Sequence, residues 1–305
     1  MIRQVDCIVI GGGPAGTFCA AALAKYGMDC VLLEKRVIMQ GKVCGGGISR
    51  FCVHALEQIG YPIAPLLHRG AKIERTITVM GKEKNLDEHW QSERNQAAYA
   101  IGISRDVLDE LFLQSAISHG VDVRLDAQVS QIEKQDRLYI ANEYAAPKVV
   151  LACGASNRLL IGKTGVLPAG ISAIYQSDAV QQGTFLFDRS PVYADGYGWI
   201  FSIGNYQWNV GVWSRRPRSN MKELYQLFSQ RQVPQFLGEQ AVCVQAPKGA
   251  LIGAGVAVQQ WDENIYLAGD AVNSARLTSG EGIPQAILSG IQTAETVLKE
   301  WRRSL

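Results

Sequence analysis

The sequence predicts an α/β protein: a Rossmann-like nucleotide-binding domain interrupted by an inserted, mainly antiparallel β-sheet. Three observations predict it. In Val5–Gly16 an apolar run, Cys7–Ile10, leads directly into Gly11-x-Gly13-x-x-Gly16. Between about Gly170 and Val244 the texture changes to short strand-like runs joined by Gly, Asn and Asp turns. At Asn264–Asp270 the first texture returns, and an amphipathic helix follows that brings the chain back to its beginning.

Each glycine of the first stretch has its own mechanical job. Gly11 permits a tight turn, Gly13 lets a pyrophosphate approach the backbone, and Gly16 lets the helix pack closely on the strand. The helix that starts at Pro14 turns unpaired N–H groups and the positive end of its dipole towards the phosphates. A helical stretch to Tyr26, Gly27 as a C′ residue, and a second apolar strand, Cys30–Leu33, complete a βαβ unit. That strand ends in Glu34, at the spacing where a carboxylate can take two ribose hydroxyls. A glycine-rich motif alone is weak, but here four features coincide in order.

The chain has 305 residues, 47% of them hydrophobic and 31 of them glycine, which fits an α/β protein with many tight turns. With 30 basic and 28 acidic residues the net charge is +2, and no block of like charge marks a nucleic-acid surface. No run approaches the length of an apolar membrane span, and no signal-peptide pattern precedes the first strand. Cysteines stand at 7, 19, 30, 44, 52, 153 and 243 without zinc spacing, and most are expected to be small buried hydrophobes in a reducing, cytoplasmic setting. Histidines 54, 68, 89 and 119 show no metal spacing either and read as surface or capping residues.

Along the chain, Gly41–Gly47 is a glycine-rich loop that would lie beside the nucleotide, followed by a helix around Phe51–Ile59. Ile73–Lys84 alternates like the first strand of the inserted sheet, and Glu83–Gln96 reads as a polar loop or exposed hairpin. Tyr99–Ile103 resumes a strand, and Ser104 caps a helix with Val107, Leu108, Leu111, Phe112 and Ala116 on its apolar face. Val121–Leu125, Ala127–Glu133, Arg137–Ala141 and Lys148–Cys153 are the next strands expected. The inserted sheet comprises Ile171–Gln176, Thr184–Phe187, Gly198–Ile203 and Trp208–Trp213, with one helix at Met221–Ser229. The expected boundaries are 1–70, 97–165 and 255–305 for a discontinuous nucleotide-binding domain, and 71–96 and 166–254 for a substrate domain.

The chain resembles the FAD-dependent oxidoreductases of the p-hydroxybenzoate hydroxylase fold, and among them the geranylgeranyl reductase family. GGGPAG at 11–16, LLEK at 32–35, KVCGGGIS at 42–49 and SRDVLDELFLQSA at 104–116 carry the resemblance. So do YGWIF at 197–201, NVGV at 209–212, GDA at 269–271 and GEGI at 280–283. It implies FAD as cofactor, with Gly11, Gly13, Pro14, Ala15 and Gly16 around the pyrophosphate and Glu34 with Lys35 at the adenosine ribose. Arg105 would approach the phosphates or the flavin edge, and the Val129 backbone the adenine. Gly269 and Asp270 would meet the ribityl chain or pyrophosphate, and Gly280, Gly282 and Ile283 would lie beside the flavin at a helix start. Cys44 would sit over the flavin and influence loop movement or substrate protonation. Tyr197, Trp199 and Phe201 alternate on one strand and so share a face, which is either core or the lining of an apolar substrate cavity. Arg105 also reads as a first-turn surface arginine, Asp270 as a turn cap and Cys44 as an ordinary loop thiol.

Departures from the family pattern are specific. Cys153-Gly154-Ala155 replaces an Asp-Gly, which bears on nicotinamide handling, and Arg276-Leu277 replaces an Asn-Pro that shapes an oxygen-reactive flavin face. Family members usually continue beyond the last helix, whereas this sequence ends at Leu305, which implies a more open or differently closed cavity. The function implied is reduction of carbon–carbon double bonds in a hydrophobic, prenyl-like substrate. NAD(P)H or a redox partner protein would donate the electrons, with transient contact at a membrane surface. The alternatives are a monooxygenase or halogenase on the same fold, with Lys72, Lys82 or Lys84 as the halogenase lysine, and a non-catalytic flavoprotein electron carrier.

Overall fold

Cys7–Ile10 is buried at every residue because it is the central strand of a parallel sheet. The computed structural model describes residues 2–304 except 82–84, 92–95, 156–158, 160, 165–167, 194, 216–219, 254–256, 260–261, 273 and 277–278. In it the sheet runs Ile265–Leu267, Lys148–Leu151, Cys7–Ile10, Cys30–Leu33, Asp122–Arg124, with every neighbouring pair parallel. Parallel strands need crossover connections and are covered on both faces, so their side chains are continuously apolar.

The helices in chain order are α1 (Pro14–Lys25), α2 (Arg50–Gln58), α3 (Ala64–Arg69), α4 (Arg105–Ser118), α5 (Met221–Leu237) and α6 (Ile283–Ser304). Leu23 of α1, Leu113 and Ala116 of α4, and Ala294 and Val297 of α6 pack on the face bearing Cys7, Val9, Leu32 and Val150. The other face, with Ile8, Val31, Val149 and Leu151, meets Tyr139, Ala141, Tyr144 and Ala146 of a small four-stranded sheet. Ser49 and Ser104 cap α2 and α4 by accepting from Cys52 and Val107 N–H groups.

A second sheet of seven strands runs Val242–Leu251, Ala169–Gln176, Gln207–Ser214, Gly196–Ser202, Thr184–Asp188, Arg75–Val79, Asn85–His89. It is antiparallel except where Thr184–Asp188 meets Arg75–Val79. Alternation along these strands makes two faces. Leu186, Ile200, Val210 and Val212 receive Leu224, Tyr225, Phe228, Val233 and Leu237 of α5. The opposite face carries Phe185, Trp199, Phe201 and Trp213.

The mixed α/β class with a mainly antiparallel second sheet is as expected, and several elements differ in detail. Ile73–Lys84 is divided: Ala71–Ile73 joins a three-stranded sheet with Gly47–Ile48 and Ala100–Gly102, and Arg75–Val79 alone enters the large sheet. Of Ala127–Glu133 only Glu133 enters a strand, Glu133–Gln135, and residues 127–132 form none. Asp126 takes a left-handed conformation (φ 53°) and the Ala127 N–H donates to the Glu34 carbonyl, so this segment folds across the end of the sheet instead of pairing along it. The helix expected to stop at Ser229 continues to Leu237, because Val233 and Leu237 extend its apolar stripe over the sheet. Pro234 lies near its end, where the missing N–H costs one hydrogen bond and the Pro234 carbonyl accepts from Gly238. Val242–Leu251 was not expected as a strand, and its nearly continuous exposure, with no alternation of burial, is that of a sheet edge.

Gly198 has no room for a side chain: a Cβ there would lie 2.4 Å from the Phe228 ring. Gly198→Ala is expected to lower stability by about 1–3 kcal/mol through overpacking, read as a lower urea midpoint with unchanged slope. An unchanged midpoint would refute the packing of α5 on this strand.

Candidate active site

One cavity of about 1240 Å³ lies between the ends of the parallel strands and the aromatic face of the large sheet. Gly11, Gly13, Pro14, Ala15, Glu34, Lys35, Cys44, Arg105, Val129, Tyr197, Trp199 and Phe201 border it, with Gly269, Asp270, Gly280, Gly282 and Ile283. Of the residues singled out in the sequence, Gly16 is absent from the wall. A Cβ on Gly16 would fall 1.9 Å from the Gly11 carbonyl oxygen, so this glycine serves helix–strand contact. Gly11 has φ 111° and would drive a Cβ to 2.4 Å from the Ala152 oxygen, whereas a Cβ on Gly13 would meet nothing within 4 Å. The turn is therefore closed behind and open in front.

No side chain caps α1, whose N-cap is Gly13, and α6 also starts in the wall, at Ile283 after Gly282. Two helix N-termini thus present unpaired N–H groups and positive dipole ends to one space, which fits an anionic dinucleotide. Two buried polar atoms of wall residues, the Thr76 hydroxyl and the Trp213 indole N–H, have no partner among the described residues. The volume exceeds the roughly 300–1,000 Å³ of a pocket for one drug-sized ligand, room on the scale of a dinucleotide.

Glu34 is buried and heavily bonded. Its Oε2 accepts from the Gly12 N–H at 2.6 Å, and its Oε1 accepts from Arg36 N and Nε at 2.9 Å each. With Arg36 Nη2 at 3.4 Å all four acceptor positions are in use, so a ribose hydroxyl would bond there by displacing an Arg36 donor. Burial by itself would raise this carboxyl, but the Arg36 side chain and the Arg36 and Gly12 N–H groups outweigh it and hold it below its ordinary 4.5. Arg36 also reaches Asp109 at 3.4 Å, and Asp109 accepts from Arg105 Nε at 2.8 Å and Nη2 at 2.9 Å. Burial opposes the charge of Arg105, and the neighbouring Asp109 and Cys44 more than restore it. Arg105 is therefore not the surface arginine of the bland reading. Two of its nitrogens are committed to Asp109, while its residue borders the cavity. Asp270 is half-buried in a 3₁₀ turn that follows Gly269 (φ 64°), and Lys35 is exposed.

The aromatic wall is wider than the single strand foresaw. Phe201 pairs in register with Phe185, and Trp199 with Phe187, so both strands contribute rings to one face. Phe185 and Phe201 have centroids 4.2 Å apart, and Tyr197 and Trp213 5.5 Å apart. Trp199 lies flat across the next strand, where a Cβ on Gly211 would be 2.3 Å from its ring. Burial pushes the Tyr197 phenol well above its ordinary value, only partly countered by Arg189, and it donates to the Ser279 carbonyl at 2.8 Å. The glycine loop rests on this wall: a Cβ on Gly45 would lie 3.0 Å from Trp199 Nε1, and one on Gly47 3.3 Å from Phe201.

Asn209 ties loop and wall together, a role the sequence did not disclose. Its buried Oδ1 accepts from Trp199 Nε1 at 2.8 Å and its Nδ2 donates to the Cys44 carbonyl at 2.8 Å. Arg36, Asp109, Phe185, Phe187 and Arg189 were missed as well. Alternation in Thr184–Phe187 could have aligned the two phenylalanines with each other, but only the strand register aligns them with Trp199 and Phe201. Of the lysines considered for halogen transfer, Lys72 pairs with Glu74 at 2.5 Å and is not among the residues bordering the cavity. Lys82, Lys84 and Leu277 lie outside the described residues. Among the described residues no His/Cys/Asp/Glu cluster could hold a metal, and no helix is long and apolar enough to cross a membrane.

Two outcomes test this geometry. Asn209→Leu releases the half-buried Cys44 carbonyl and strands the buried Trp199 indole N–H, the latter costing about 1–3 kcal/mol, and trypsin is expected to cut after Lys42 faster than in wild type. Equal cutting rates would show that the loop does not depend on Asn209. Because its folded value is lowered, Glu34 contributes stability that is full above 4.5 and is lost as pH falls through the folded value. Denaturation midpoints of wild type and Glu34→Gln should therefore differ at neutral pH and converge in acid. A gap that persists in acid would refute the charge-based account.

Residues 4–142 match the family model of the FAD binding domain. Over its length the chain is 28% identical to a menaquinone reductase of Mycobacterium tuberculosis, covering 96% of this chain and 76% of that protein. It is 26% identical to a digeranylgeranylglycerophospholipid reductase of Methanopyrus kandleri, covering 94% and 75%. A crystal structure of a geranylgeranyl bacteriochlorophyll reductase-like protein from Thermoplasma acidophilum superposes with a TM-score of 0.84 at 19% identity, covering 100% of this chain and 80% of that one. Taken with the glycine turn and the cavity, these likenesses describe an FAD-dependent oxidoreductase similar in sequence to reductases of menaquinone and of digeranylgeranylglycerophospholipid.

Proposed function

We propose that this protein reduces carbon–carbon double bonds of a hydrophobic, prenyl-like substrate. The observation that carries the reading is the continuity of one cavity from the glycine cradle of α1 to an aromatic floor. Phe185, Phe187, Tyr197, Trp199, Phe201 and Trp213 make up that floor. Residues 1–70, 97–165 and 255–305 would hold FAD, and 71–96 with 166–254 would supply the substrate wall. The parallel strands fall in the first set and the large sheet in the second.

Within that reading, Gly11, Gly13 and the start of α1 hold the pyrophosphate, with Pro14 and Ala15 in contact and Gly16 keeping the turn closed. Glu34 and Lys35 take the ribose side, Val129 the adenine, and Arg105 the phosphates or flavin edge. Gly269, Asp270, Gly280, Gly282 and Ile283 take the ribityl and flavin end. When bound and reduced, FAD supplies the hydride. The rings exclude water and hold the alkene flat, so that little further ordering is needed at reaction. Cys44 is our candidate proton donor: its carbonyl is anchored by Asn209 and its thiol neighbours Arg105. A proton given from this thiol would be replaced from solvent. NAD(P)H or a partner protein would restore the electrons, and an extended lipid substrate would bring the protein to a membrane surface.

The test is anaerobic. Protein with bound FAD, reduced by NADPH or by dithionite, is mixed with a polyprenyl compound. The oxidised-flavin band should return as the product gains two hydrogens by mass spectrometry. Trp199→Ala should lower the second-order rate at least about tenfold while FAD content stays at the wild-type level, in line with losing a large aromatic contact. Return of the band only on admitting oxygen, with a hydroxylated product, would sink the reading.

A further inference from the structure

The rim of the aromatic floor carries a guanidinium that has no acid partner among the described residues. Arg189 follows the strand Thr184–Asp188, borders the cavity and is exposed. Its guanidinium carbon lies 5.9 Å from the Phe187 ring centroid and 5.9 Å from that of Tyr197, so the cation stacks at the edge of the apolar surface. Its backbone N–H donates to the Val79 carbonyl at 2.8 Å, which fixes the stem.

No described carboxylate pairs with it. Asp188, its chain neighbour, is turned to the other side and is used by Ser190, Tyr193 and Gln232. Glu88, an acid in the same cavity wall, belongs to the cross-strand row of Thr76 and Phe185. That row is four residues back along the strand, or about 13 Å from Arg189. Glu281 faces Arg276 at 4.0 Å.

A charge held against rings, unpaired among the described residues and open to the cavity, is arranged for an anion that arrives with an apolar chain. We propose that Arg189 is the head-group subsite of this cavity, selecting substrates whose hydrophobic chain ends in a phosphate or carboxylate over neutral ones. A planar guanidinium can bond two oxygens of such a group at once, while its face stays on Phe187 and Tyr197. The chain of the substrate then runs from Arg189 over Phe187 towards Trp199 and Phe201. The inference rests on the proposed double-bond reduction and narrows it. Between relatives named for a phospholipid and for a quinone, it places this chain's substrate with the anionic class.

The experiment compares geranylgeranyl diphosphate with geranylgeraniol, both in the same detergent, using FAD-loaded wild type, Arg189→Met and Arg189→Lys. Methionine keeps an apolar stem against the rings and removes the charge. Arg189→Met is expected to raise KM for the diphosphate at least about tenfold with a much smaller change in kcat, as for loss of a charge-assisted pair. KM for the alcohol should move less than about threefold, and Arg189→Lys should recover part of the diphosphate KM. Equal changes for the two substrates, or none, would overturn the proposal. So would weaker binding of Arg189→Met to phosphatidylglycerol vesicles with both KM values unchanged, which would assign the arginine to a membrane surface. If wild type reduces neither compound, the proposed function itself fails, an outcome separate from these.

Discussion

The close approach of backbone to backbone at the start of α1 is the constraint on which the rest depends. Gly16 and Gly11 touch where any Cβ would collide, and the same crowding recurs where α6 crosses. A Cβ on Gly290 would fall 2.2 Å from the Ala15 oxygen, and one on Gly269 2.7 Å from the Ala15 Cβ. Small residues at these crossings let α1 and α6 bring their N-termini to one space, since helices approach only as closely as the side chains between them allow. A bulkier residue at any of them would separate two positive dipole ends that face the same cavity.

The second contact that matters is between unlike surfaces. The glycine loop 41–47 is thin enough to lie on Trp199, Phe201 and Phe185, and Asn209 closes the contact with two hydrogen bonds, one buried and one partly so. There each bond is stronger, and its loss costlier, than on the surface. Loop and aromatic floor are in consequence one assembly, with Cys44 held at its seam.

The charges near the cavity follow one logic. Glu34, Arg36, Asp109 and Arg105 form a chain of alternating sign. Three buried charges and the half-buried Arg36 are tolerated because each has a partner and hydrogen bonds. Arg189, by contrast, has no carboxylate partner among the described residues. The difference separates structural cations from one that is available to a ligand.

The sequence by itself determined the βαβ start, the tight turn at Gly11 and close packing at Gly16, the capped helix at Arg105 and the aromatic alternation of Tyr197, Trp199 and Phe201. Each of these depends on neighbours within a few residues: φ at a turn, a missing Cβ, a serine at an N-cap, a period of two. It did not show that residues 127–132 would form no strand, that Val242–Leu251 would be an edge strand, or that α5 would run on through Pro234. Those outcomes depend on which edges and faces remain open once distant segments have assembled. Asn209 is the clearest case. As a polar residue in an apolar strand it has no local meaning, and only the arrival of Cys44 from 165 residues away turns it into a latch. The register of Thr184–Asp188 against Gly196–Ser202 likewise turned one row of rings into a floor and set Arg189 beside it. Such contacts belong to pairs of segments, and a pair is decided by tertiary structure alone.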